Sequence, residues 1–147
     1  MADKSIATAK ASGIEALEKG YLHSAQIFLQ QWADQDKSPE ARSYLAYARA
    51  KATGQIDDAI STCRDALKFE LDNPVHYLLL GRCYLLAGNK QEAITTFRQG
   101  LGFSKEPRII TELNRLGLRK PNVFKNLKRD HPANRIAGKL LARLGLR

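Results

Sequence analysis

Reactive side chains are few in this sequence, and their spacing decides what they can do. Cys63 and Cys83 could form a disulfide or supply a thiolate. His23, His76 and His131 could ligate a metal or move protons, and the adjacent Asp57-Asp58 could serve as acid and base. The three histidines are scattered, however, and none has a cysteine or carboxylate at metal-ligand spacing, so no metal site is expected. Two cysteines make no disulfide framework and read as small buried hydrophobes. Asp57-Asp58 falls where a helix begins and negative charge favours the unpaired amides. His76, beside Tyr77, reads as a helix-surface residue. There is no Gly-rich phosphate loop and no nucleophile elbow, so neither catalysis nor a cofactor is expected. What remains is the chemistry of recognition, by cations and apolar side chains.

A repeat identifies the elements that must position those side chains. A glycine followed five places later by an alanine recurs every 34 residues: Gly20 with Ala25, Gly54 with Ala59, Gly88 with Ala93. A period of that length marks a stack of helical hairpins, each too small to bury its apolar face alone. The three glycines sit where a first helix should stop. Ser38-Pro39 and Asn73-Pro74 read as cap plus first-turn proline, and Asn89 with Glu92 as a capping box. Pro107 opens a seventh helix in which Ile109, Ile110, Leu113 and Leu116 share one face, and Gly117 ends it.

The third copy carries the most specific typing: Tyr77, Leu80-Gly81, Tyr84, Ala93, Phe97 and Gly100. In this pattern it resembles the tetratricopeptide repeat. The second copy matches through Ala59, Cys63 and Ala66, with Tyr47 and Ala50 as departures. The first matches through Gly13, Ala25 and Leu29, with Trp32 in the place of a small residue. The resemblance implies an all-α fold: a right-handed superhelical stack of three helix-turn-helix repeats with a C-terminal capping helix. The expected organisation is a repeat domain over 1–118 (repeats at about 6–39, 40–73 and 74–107, cap 108–118) and a basic extension over 119–147.

Charge separates these parts. Up to Pro107 there are 13 basic and 13 acidic residues; from Arg108 onward there are 11 basic residues against Glu112 and Asp130. The whole excess of +9 therefore lies in the last forty residues. Its cations include Arg119, Lys120, Lys125, Lys128, Arg129, Arg135, Lys139 and Arg143. After a turn-rich connector, in which Val123, Phe124 and Leu127 could dock, His131-Pro132 opens a final helix. There Ile136, Leu140 and Leu144 form one stripe and Arg135, Lys139 and Arg143 the neighbouring one. Such a helix suits self-association, an acidic protein or a membrane surface, though one short helix alone holds a bilayer marginally. Nucleic acid is the poorest fit, because Phe124 is the one aromatic available for base stacking. The N-terminus lacks the apolar run of a signal peptide and no segment approaches a membrane span, so a cytoplasmic location is expected.

In the resembled family the first helices of successive repeats line a groove that takes peptides or helices. The matching positions are Lys10, Ile14 and Leu17; Tyr44, Ala48 and Lys51; then Val75, Leu78, Arg82 and Leu85. That surface is mostly apolar with one cation per repeat, which suits an amphipathic or acidic segment of a partner protein. The family's carboxylate clamp is absent, since only Lys10 of its five matching places holds the required type. The function expected is an interaction module, adaptor or scaffold. The alternative is an assembly or surface-targeting unit acting through the basic tail. The segment YLLLGRCYLL is apolar all round, so something must cover it.

Overall fold

The structure, a computed structural model, describes residues 2–117 and 131–143. These form α1 (Ala2–Glu18), α2 (Leu22–Gln35), α3 (Pro39–Thr53), α4 (Ile56–Phe69), α5 (Pro74–Leu86), α6 (Lys90–Leu101), α7 (Pro107–Arg115) and α8 (Pro132–Arg143). No strand occurs among the described residues. The chain divides into two compact units, Met1–Leu113 and Asn114–Arg147. The first holds the hairpin stack and the second contains α8. Within the first, α1 pairs with α2, α3 with α4 and α5 with α6; α2 then meets α3, α4 meets α5, and α3 lies along α5.

Local chemistry sets the boundaries. Gly20, Gly54 and Gly88 end the first helices with φ of 80°, 81° and 76°, the left-handed stop that a side chain resists. Ser38 Oγ accepts from the Ala41 amide, Asn73 Oδ1 from Val75 and Asn89 Oδ1 from Glu92. The Asn89 amide donates to the Tyr84 carbonyl and not to Glu92, so the predicted capping box is made as a single N-cap. Helix α1 departs from expectation by beginning at Ala2, ahead of the repeat's own start. Nothing lies within 4 Å of a Cβ added at Gly54, so Gly54→Ala meets a purely conformational penalty. It should cost about 1–2 kcal/mol, seen as a lower urea midpoint at unchanged slope.

Small residues let the helices of a hairpin meet. Ala25, Ala59 and Ala93 are wholly buried at the same place in each copy. A Cβ on Gly13 would lie 2.7 Å from Leu29 Cδ2, and one on Gly100 would lie 2.7 Å from Tyr77 Cβ and 2.8 Å from Ile109 Cδ1. Trp32, in the small-residue place of the first copy, is buried against Tyr44 at 5.7 Å between ring centroids. Its Nε1 donates to Asp36 Oδ2 at 3.0 Å, which satisfies the polar edge of a core indole.

Helix α5 is buried from His76 to Tyr84, and the chain's own α3, α4 and α6 pack against it. The apolar segment is therefore covered from within the stack as far as Tyr84, while Leu85 is half-buried and Leu86 exposed. His76 is corrected by this packing: it is wholly buried, not on the helix surface. Its Nδ1 lies 3.2 Å from Ser43 Oγ and its Nε2 2.8 Å from Glu70 Oε2. A carboxylate only accepts, so Nε2 donates to Glu70, and in the neutral ring Nδ1 then accepts from the hydroxyl. The trio has the composition of a nucleophile relay, yet Ser43 is wholly buried and no substrate reaches it. Cys63 and Cys83 are both free and buried nearby. Hydrogen bonding to Cys83 and burial push the Cys63 thiol up, away from the reactive thiolate.

In α7 the buried row is Ile109 and Glu112, while Ile110 is 40% exposed. The expectation that Ile110 shares the covered face is corrected. Glu112, three residues beyond Ile109, turns inward to an arginine of α5, so the row runs along that line of the helix.

Candidate functional site

The 34-residue period places Lys10, Tyr44, Leu78 and Glu112 at one position of successive first helices, and Ile14, Ala48 and Arg82 at the next turn. The ten predicted groove residues accordingly fall on α1, α3 and α5. Five of them are buried: Leu17, Tyr44, Ala48, Leu78 and Arg82. Lys10, Ile14, Val75 and Leu85 are half-buried and Lys51 is exposed. The other five keep part of their surface open to solvent.

Ion pairs run across this face between helices that are not adjacent in the chain. Arg82 of α5 donates through Nη1 and Nη2 to both oxygens of Glu18 on α1, at 2.6 and 3.1 Å, and through Nε to Glu112 of α7 at 2.8 Å. The same guanidinium lies over the Tyr47 ring of α3, 5.9 Å from its centroid. One side chain thus ties together all four first helices. Arg108 of α7 donates to the Tyr44 hydroxyl at 2.7 Å and to Glu106 at 2.8 Å. Lys10 pairs with Glu40 of α3 at 3.2 Å and sits over the Trp32 ring. The pairs are short and the Arg82–Glu18 pair is bidentate, the geometry in which charge-assisted bonds are strongest. Two of the three groove cations, Lys10 and Arg82, are therefore matched within the chain.

The electrostatics agree with this geometry. Burial works against the Arg82 cation, but Glu18 and Glu112 outweigh it and raise its pKa. For Arg108 the same opposition is settled by Glu106 and Tyr44. Burial pushes the Tyr47 phenol up to about 12 despite Arg82 above it. Glu18 and Glu106 feel burial as an upward push, yet Arg82 and Arg108 respectively hold both below the usual 4.5. A depressed folded pKa gives stability that is full above the unfolded value and fades as pH falls through the folded one. Thermal midpoints should therefore stay flat from about pH 7 to about pH 5 and drop below about pH 4.5. A Glu18→Gln, Glu106→Gln double variant should show a shallower acid limb, which differential scanning calorimetry over pH would check.

Glu18, Glu40, Arg108 and Glu112 were not anticipated as parts of this face. The signal was available in the period, since Arg108 and Glu112 follow Pro74 and Leu78 by 34 residues and place α7 as a fourth first helix. A shallow depression of about 520 Å³ lies away from the face, between α2 and α3, lined among others by Ile27, Gln30, Leu45 and Arg49. In the tail, Arg135, Lys139 and Arg143 are exposed on α8. Arg119, Lys120, Lys125, Lys128 and Arg129 lie outside the described residues, as do Val123, Phe124, Leu127 and Leu144. No helix among the described residues is long and apolar enough to cross a membrane.

Hairpins stacked at a 34-residue interval, with small residues where each pair crosses, define a helical repeat protein of the solenoid class. Residues 50–109 match the tetratricopeptide repeat family, from the end of α3 to the start of α7. Over that span the chain carries tetratricopeptide repeats. Its fold is similar to that of the second TPR domain of the human RPAP3 protein, solved in complex with the HSP70 peptide SGPTIEEVD. The similarity covers 81% of this chain and 100% of that one, at 16% identity and a TM-score of 0.55. No curated protein sequence matches the chain.

Proposed function

We propose that the chain is a protein-interaction module that receives a peptide or helix of a partner protein on the face of its first helices. The observation that carries this reading is the composition of the accessible strip. Half-buried Ile14, Val75 and Leu85 and exposed Lys51 belong to the same set of first helices, which buried ion pairs hold together. Apolar anchors with a cation suit an amphipathic segment bearing a carboxylate, and a pre-fixed face lowers the ordering cost of binding. Peptides selected from a random display library against the full chain test it. Lys51→Glu and Leu85→Glu should each weaken the selected peptides about tenfold or more, while Arg98→Glu on α6 leaves them unchanged. Indifference to both face variants, with the helical circular dichroism intact, overturns the reading.

A second reading rests on a different observation, the exposure of Ile136 and Leu140 on α8. In it the basic tail is a docking element that works beside the stack, for assembly or for attachment to a surface.

A further inference from the structure

Helix α8 has an unusual division of its surface. Ile136 and Leu140 are 60% and 54% exposed, and Ala133, Ala137 and Leu141 beside them are half-buried. Arg135, Lys139 and Arg143 run along the adjoining flank at spacing four, all exposed and without an ion pair among the described residues. No acidic residue occurs from Pro132 to the end of the sequence. An apolar stripe bordered by cations is a two-part request, for a surface that accepts hydrocarbon and offers negative charge next to it.

We infer that α8 lies on an anionic lipid surface, with Ile136 and Leu140 in the acyl boundary and Arg135, Lys139 and Arg143 reaching headgroup phosphates. This rests on the reading of the tail as a docking element. Charge decides among the occupants. A second copy offers little to the cations, because residues 1–107 carry as many acidic as basic side chains. Nucleic acid satisfies the cations but leaves Ile136 and Leu140 in water. An anionic bilayer satisfies both halves at once. A single short amphipathic helix binds a bilayer weakly, and the excess of +8 over residues 119–147 supplies the second signal that stable attachment needs. The neutral hairpin stack is not repelled by such a surface, so it stays presented to a partner there.

Co-sedimentation of the full chain with vesicles tests this, using phosphatidylcholine alone and phosphatidylcholine with about a third phosphatidylglycerol. Binding is expected only to the anionic vesicles. At low salt, Arg135→Ala, Lys139→Ala, Arg143→Ala together should weaken it on the order of a hundredfold. Ile136→Asp with Leu140→Asp should weaken it by about tenfold or more. Loss in the charge variant with no change in the aspartate variant overturns the proposal, because attraction alone then explains the binding. Failure to bind anionic vesicles, alongside a dimer in analytical ultracentrifugation that the aspartate variant dissolves, overturns lipid as the occupant and keeps the docking reading. Absence of both vesicle binding and dimer, or equal binding of wild type and aspartate variant to a DNA duplex in place of vesicles, overturns both.

Discussion

Replacing Arg82 by methionine is expected to remove about 3–5 kcal/mol of folding stability, the largest loss from any single polar side chain in the stack. Methionine keeps much of the aliphatic volume, so the loss reports charge and not packing. The guanidinium side chain is 10% exposed and all three of its nitrogens donate, two to Glu18 and one to Glu112. Removing it takes from Glu112, whose side chain is 10% exposed, the cation at 2.8 Å. Glu18 is 35% exposed and keeps part of its water, so it contributes less to the loss. Adding Glu18→Gln and Glu112→Gln to Arg82→Met should therefore recover part of the stability, because neutral amides lose less than carboxylates when that cation goes. Urea denaturation of the single and triple variants measures this. If the triple variant is less stable than the single one by the sum of its parts, the carboxylates that lose this cation are not the cause.

Truncating Phe97 to alanine is expected to cost about 3–5 kcal/mol, and the cost should shrink when Gly81 is changed to alanine in the same chain. Phe97 is wholly buried on α6, with its ring against the backbone of α5 at Gly81. A Cβ on Gly81 would sit 2.6 Å from Phe97 Cδ1, closer than carbon atoms approach. Alone, Gly81→Ala must push the ring or the helix aside and should lose about 1–3 kcal/mol despite alanine's better helix propensity. In a Phe97→Ala background the clash is gone, the methyl enters the cavity and the propensity gain appears. A double-mutant cycle should thus give a favourable coupling of about 1–3 kcal/mol, and a coupling near zero would contradict the contact.

These two positions also show what could be read from the sequence. Gly81 and Phe97 stand at typed places of a repeating pattern, and so do Gly20, Gly54 and Gly88; each acts through its own backbone or its partner helix within one hairpin. Such chemistry is local and leaves a periodic trace. The caps at Ser38, Asn73 and Asn89 are legible for the same reason. The period puts Glu112 in line with Leu78, but the Arg82–Glu18 pair left no such trace, because the two are 64 residues apart and meet only once three hairpins have stacked. Arg108 and Tyr44 are separated by the same distance. His76 was misjudged likewise, since its partner Ser43 comes from the preceding hairpin, 33 residues away. The period places the proposed face on α1, α3 and α5. It could not show which of its members become buried, because burial of Tyr44 or Leu78 depends on the neighbouring first helices and not on their own.

Amide NMR spectra of the full chain, titrated with a display-selected peptide, test most directly whether the first helices are the docking face. The account predicts that the resonances that shift cluster on α1, α3 and α5 around Ile14, Lys51, Val75 and Leu85, with α2, α4 and α6 unmoved. Shifts gathered on the second helices of the hairpins, or on α8, would contradict it.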